Sequence, residues 1–112
     1  MDVFKIKKND TSPALSVTLE YANGSPIDLT GGSVWFNLGD ISTYATFGSG
    51  QAVITGSTDG MCEYRWVGSS TAIIDTGSVR KCWGEFEFQC AGSRMTLPAD
   101  HSLKIEIFED YN

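Results

Sequence analysis

Few residues of this 112-residue chain are arranged as an active site requires. Its single histidine, His101, stands between Asp100 and Ser102, and together they supply the three side-chain types of a hydrolytic triad. Three consecutive residues cannot reach one another in triad geometry, because the histidine must bridge its two partners in space. We therefore expect His101 to lie in a solvent-facing loop without a catalytic role.

Acidic side chains occur in pairs that raise the question of acid–base catalysis or cation binding. Glu85 and Glu87 fall two residues apart on a predicted strand, so their side chains project in parallel from one face. A glycosidase instead needs two carboxyl groups that face each other across a substrate. Asp59 and Glu63 lack the spaced acidic loop of a calcium site. We therefore predict no enzyme activity, no metal and no cofactor.

The three cysteines, Cys62, Cys82 and Cys90, match no zinc-ligand spacing. Their number is odd, and the N-terminal residues lack the apolar segment of a secretory signal, which argues against a disulfide framework. We interpret all three as small, buried apolar residues. A reactive thiol or a redox pair is the alternative.

Composition limits the classes of partner. With 14 acidic and 8 basic residues the net charge is −6, which repels a phosphate backbone, and the cluster of Lys5, Lys7 and Lys8 is too small for a nucleic-acid surface. No apolar run is long enough to span a bilayer. We expect no nucleic acid and no membrane as partner, and a single domain over residues 1–112 that folds without metal or disulfides.

Alternation of apolar and polar residues dominates the chain and predicts β-strands. It is clearest at residues 14–22, which end in an Asn23-Gly24 turn, and longest at residues 81–91. Such short strands, separated by turns, are typical of a sandwich or barrel. The predicted strands are residues 3–7, 14–22, 33–38, 51–55, 61–67, 81–91, 94–97 and 103–108. Residues 39–50 and 68–80 are predicted as longer loops, the second with one short helical turn at 70–75.

Four aromatic residues are candidates for a protein interface. Trp35 and Trp83 alternate with the apolar positions of their strands and therefore point away from the predicted core. Tyr44 and Phe47 lie in the predicted loop 39–50, which is long enough to contact a neighbouring subunit. Either these side chains form an interface, where tryptophan is enriched, or loops of the same chain cover them.

The order of several segments is distinctive, above all in the N-terminal third. These segments are Phe4, Ile6 and Lys7; residues 10–15; the Asn23-Gly24 turn; residues 26–31; Val34 and Phe36; and, less specifically, residues 63–66, 84–88 with Gly92, Leu97-Pro98 and residues 103–107. Together they resemble the phage baseplate upper protein N-terminal domain family. The resemblance implies an all-β, immunoglobulin-like antiparallel β-sandwich of about seven to nine short strands.

The resemblance also implies a function. It indicates a virion structural protein of a tailed bacteriophage, made in the bacterial host cytoplasm, that acts as a non-enzymatic docking and assembly module. Its partners would be other phage structural proteins in a symmetric multi-copy assembly, most directly in the tail tip or baseplate. A capsid cement or decoration protein is one alternative. A soluble module that binds a host glycan or protein for attachment is another, from a different class.

Overall fold

The alternating pattern produces nine β-strands in the parts of the chain that the structure, a computed structural model, describes: residues 3–7, 12–42, 46–66, 79–98 and 103–108. A short 3₁₀ helix, Ser57–Asp59, lies inside the turn predicted between two of the strands. The strands are β1 (Val3–Lys7), β2 (Leu15–Thr18), β3 (Ser33–Asp40), β4 (Thr46–Gln51), β5 (Val53–Gly56), β6 (Met61–Tyr64), β7 (Arg80–Cys90), β8 (Ser93–Leu97) and β9 (Leu103–Phe108).

The strands form two sheets that make a β-sandwich. The larger sheet has the order β1-β9-β7-β3-β4, with β8 also paired to β7, and the smaller sheet has the order β2-β6-β5. The predicted all-β, immunoglobulin-like sandwich is therefore confirmed. One detail differs, because β1 runs parallel to β9 and makes the larger sheet mixed rather than purely antiparallel.

The long strand β7 organises the larger sheet. One of its edges pairs with β3 along eight residues. Its other edge is shared by two strands in succession, since β9 pairs with its first half and β8 with its second half. Strand β8 ends directly before Pro98, whose nitrogen carries no hydrogen to donate to a ladder.

The core lies between the two sheets and has aromatic rings at its centre. On β3, Phe36 is buried, as are the two predicted inward residues on either side of it, Val34 and Leu38. The Phe36 ring lies 4.5 Å from the ring of Tyr64 in the smaller sheet and 5.0 Å from that of Phe86 in the larger one, measured between centroids. Its contacts therefore join the two layers.

The chain crosses between the sheets at a corner before β3. The Asp28 carboxylate accepts hydrogen bonds from the backbone N–H (3.0 Å) and the hydroxyl (2.6 Å) of Thr30. The next residue, Gly31, has φ of +79°, a conformation that glycine adopts without steric cost. This tight corner takes the chain from the smaller sheet to the larger.

The prediction of a long loop at residues 39–50 is wrong. Strand β3 continues through Asp40, and β4 begins at Thr46. The glycines of β4 resemble a loop in sequence, but Gly50 leaves room for the Tyr64 ring, which would lie 3.1 Å from a Cβ atom at that position. A long-range packing requirement therefore explains a glycine that looks like a turn signal.

The predicted strand at residues 51–55 is observed as β5, but its first two positions differ, because the segment spans the end of one strand and the start of another in a different sheet. Strand β4 ends at Gln51 and β5 begins at Val53. Between them, buried Ala52 donates its N–H to the Val34 carbonyl at 2.8 Å. The predicted loop at 68–80 and its helical turn lie outside the described residues, apart from the last two positions of the loop.

Neighbouring residues of β3 provide a test of this core. Replacing Phe36 by alanine should lower the free energy of unfolding by about 3–5 kcal/mol, because it removes a buried ring that packs against both sheets. The matched control is Trp35→Ala, which should cost less than about 1 kcal/mol because its side chain projects from the outer face, is 40% exposed and leaves no cavity between the sheets. Chemical denaturation of the two variants would measure both values, and equal losses would contradict the assigned register of β3.

Candidate functional site

Among the side chains that the structure describes, Trp35 is the large exposed aromatic residue on the outer face of the larger sheet. Trp35 lies on β3 opposite Gln51 of β4 on one side and Glu87 of β7 on the other. Its side chain is 40% exposed, because Val34 and Phe36 take the inward positions beside it. An exposed indole with polar neighbours is a common anchor in protein interfaces. The predicted exposure of Trp35 is therefore observed.

The carboxylates near Trp35 are held by neighbouring side chains. Glu85 accepts a hydrogen bond from the Asn37 amide at 3.4 Å, and Glu87 accepts one from the Gln89 amide at 2.8 Å. Arg94 lies 3.5 Å from the same oxygen of Glu87. The two carboxylates stand side by side on β7 as predicted, so this face offers a polar rim around Trp35 and no pair of groups opposed across a substrate.

Trp83 points away from the main core as predicted, and of the two alternatives left open for it, cover by its own chain is the one observed. Its neighbours Cys82 and Gly84 face the core, so Trp83 does point to the outer face, and it stands apart from the main core cluster. Yet only 2% of it is exposed. Its indole lies against Gly39 of β3, where a side chain would collide with the ring. Trp83 therefore packs within its own chain and offers no free surface to a partner.

The other two candidate aromatics do not add to a site in the described residues. Tyr44 lies outside them. The backbone of Phe47 belongs to β4, an edge strand rather than the predicted loop, and its side chain is outside the described part. Of the four predicted residues, the structure describes the side chains of Trp35 and Trp83, and Trp35 is the exposed one of these two.

All three cysteines are free thiols. Cys62 and Cys82 are buried, as predicted, and burial raises their pKa to about 11 and about 12, respectively. Both are therefore protonated and poorly nucleophilic at neutral pH. Cys90 is only partly buried, which differs from the prediction for that position.

An ion pair that the sequence pattern did not reveal joins β3 to β7. One Asp40 oxygen accepts hydrogen bonds from the hydroxyl (2.6 Å) and the N–H (2.8 Å) of Ser42, and the other accepts one from Arg80 at 2.9 Å. These bonds, chiefly those from Ser42, lower the Asp40 pKa to about 2. The carboxyl is fully engaged in fastening two strands, so its role is structural.

Other chemistry finds no support in the described residues. Within them, no three side chains of the metal-binding types gather at one place. His101 lies outside the described ranges. No helix formed by the described residues has the length and apolar character needed to cross a membrane.

Comparisons with known proteins yield a similarity of fold. No family model matches the chain, and no curated protein matches it. Among solved structures, it is similar to the "N-terminal domain of phage TP901-1 ORF48", with a TM-score of 0.52 and 14% sequence identity. The alignment covers 97% of this chain and 85% of that one. At this identity the similarity establishes a shared fold over nearly the whole chain.

The Asp40 carboxyl allows a pH-dependent test. Asp40→Asn should lower the free energy of unfolding by about 1 kcal/mol near neutral pH, because hydrogen bonds to a half-buried carboxylate are lost. The folded-state pKa lies below the ordinary 3.8, so the wild-type advantage is present above that value and disappears as the pH falls through about 2. Urea unfolding across this pH range measures the difference in unfolding free energy between the wild type and Asp40→Asn, with the exposed Asp59→Asn as control. A difference that grows as the pH falls would contradict the assigned role of Asp40.

Proposed function

We propose that this protein is a structural component of a tailed-phage particle and acts as a docking and assembly module without catalytic activity. The observation that carries the proposal is the likeness in fold to a phage protein domain over 97% of the chain. The segments of the N-terminal third that resemble the baseplate upper protein family point the same way.

Within the particle we place the protein in the tail tip or baseplate, among many symmetric copies. This placement rests on the resemblance of the N-terminal third to the baseplate upper protein family. Trp35 and its polar rim supply the type of surface that a protein neighbour would cover. The acidic net charge would keep free copies soluble before assembly.

A soluble host-binding module is the competing function. That hypothesis calls for a concave site lined by Tyr44, Phe47 or Trp83. Trp83 is buried against Gly39 and cannot line such a site. Trp35 lies on a strand of an outer sheet face, opposite Gln51 and Glu87, which suits contact with another protein surface.

The copy number in purified particles tests the proposed function. A tail or baseplate component should be present in multiples of three, six or twelve, since ring symmetry sets the number of subunits. Quantitative mass spectrometry against the major capsid protein would measure it. Roughly hundreds of copies would instead indicate a capsid layer. Absence from the particle would remove the virion proposal and favour the host-binding module.

Trp35 provides a second test. In particles assembled with the Trp35→Ala protein, incorporation should fall at least about tenfold, because loss of an interface anchor typically costs about 2 kcal/mol or more. The matched control is Met61→Ala, which removes a similarly exposed side chain, 45% exposed, from the smaller sheet. Equal incorporation of both variants would show that the Trp35 face is not an interface.

A further inference from the structure

The two sheets of the sandwich differ in their number of strands, six in the larger and three in the smaller among the described residues. Strand β2 forms an edge of the smaller sheet, and no described strand pairs with its outer side. In immunoglobulin folds the corresponding sheet commonly has a fourth strand at this edge. Here the first strand, β1, pairs with β9 in the larger sheet instead. Among the described strands, the position beside β2 in the smaller sheet is therefore vacant.

The backbone of β2 and its extension offers hydrogen-bonding groups at that position. Both backbone hydrogen-bonding groups of Leu19 point away from the open edge. Its N–H donates to the Gly60 carbonyl at 2.7 Å, and its carbonyl accepts from the Ile27 N–H at 2.9 Å. Backbone groups alternate in direction along a strand. Thr18 lies opposite Met61 and Glu20 lies opposite Pro26, each next to the hydrogen-bonded Leu19, so the N–H and carbonyl groups of Thr18 and Glu20 are directed toward the open edge.

An apolar groove of about 350 Å³ lies beside this edge. Such a volume is in the range of about 300–1,000 Å³ that is common for binding clefts. Tyr21, which is 49% exposed, lies on the β2 side, and half-buried Leu97, Pro98 and Leu103 lie on the side of the larger sheet. Along one side of the groove run the outward-directed N–H and carbonyl groups of Thr18 and Glu20, and apolar side chains from both sheets line it.

We propose that this groove binds an extended segment of a partner protein, which adds to β2 as a further strand. The backbone row matches a polypeptide in strand conformation, whose alternate side chains, about 6.8 Å apart, would enter the groove. Exposed Glu20 at the rim favours a lysine or arginine on the segment. A second copy of this chain, with net charge −6, is disfavoured by repulsion. Only the identity of the partner as a virion neighbour rests on the proposed function.

A synthetic peptide tests the groove directly. The probe is a terminally blocked nine-residue peptide of alternating valine and threonine with a lysine at each end. We expect it to shift the amide NMR signals of Ser16, Thr18 and Glu20 in the purified protein as the peptide concentration rises to about 1 mM. A peptide of the same composition with its valines grouped together should bind at least threefold more weakly, because it lacks the alternation.

Two substitutions at one residue separate strand addition from other binding. Thr18→Pro removes an outward-directed N–H from an edge strand, a position where proline is tolerated, and should weaken binding at least tenfold. Thr18→Val retains that N–H and should leave binding within twofold of the wild type.

The groove side chains provide a separate test. Tyr21→Ala should weaken peptide binding about threefold, whereas Met95→Ala, at an exposed residue outside the groove, should not change it.

Three results with the peptide would overturn the proposal. They are no shift of the β2 amide signals at 1 mM peptide, shifts confined to another edge such as β4, and equal binding by the Thr18→Pro and Thr18→Val variants. Shifts of the β2 amides that follow protein concentration without peptide would assign the groove to a second copy and would also overturn it. The peptide experiment uses purified protein and no virion. Its failure would therefore contradict the groove proposal and not the proposed function. Absence of the protein from particles would contradict the proposed function and not the peptide result.

Discussion

The pairing of β3 with β7 determines most of the larger sheet. Eight consecutive residues of β3 pair with Cys82–Gln89, and this register directs Phe36 and Phe86 inward and Trp35 outward. A slip of one residue in β3 would exchange its two faces, exposing Phe36 and burying Trp35. The opposite edge of β7 carries β8 and β9, and β9 in turn carries β1. The core and the exposed face are therefore consequences of one strand pairing.

Local patterns in the sequence were sufficient for most of these strands. The alternation at residues 81–91 predicted β7 to within one residue at each end, because a strand with one buried face repeats every two positions. Between the predicted strands 81–91 and 94–97, the chain turns at Ala91 and Gly92. Both residues have positive φ, which is the conformation of a two-residue hairpin loop that favours glycine. The exposure of Trp35 followed from the same alternation, since its two neighbours are apolar.

The features that were missed depend on residues far apart in the chain. Strand β4 has little strand propensity of its own, and the Tyr64 ring accounts for one of its glycines. Burial of Trp83 depends on Gly39, which looks like an ordinary turn residue in the sequence. Asp40 and Arg80 are forty positions apart, so no local pattern could indicate that they pair. In each case the partner is known only once the strand order is known.

The unequal sheets explain where this fold can meet a neighbour. An unpaired strand edge attracts other strands unless charge or proline protects it. The β1 edge carries exposed Lys5 and Lys7, whereas Leu15–Thr18 of β2 has no charged residue. Moving β1 to the larger sheet therefore adds a protected edge there and leaves, beside the apolar groove, an edge that carries no charge within β2 itself and is followed by exposed Glu20. The open edge of β2 and the exposed indole of Trp35 are therefore the two features of the described surface that are best suited to contact with another polypeptide.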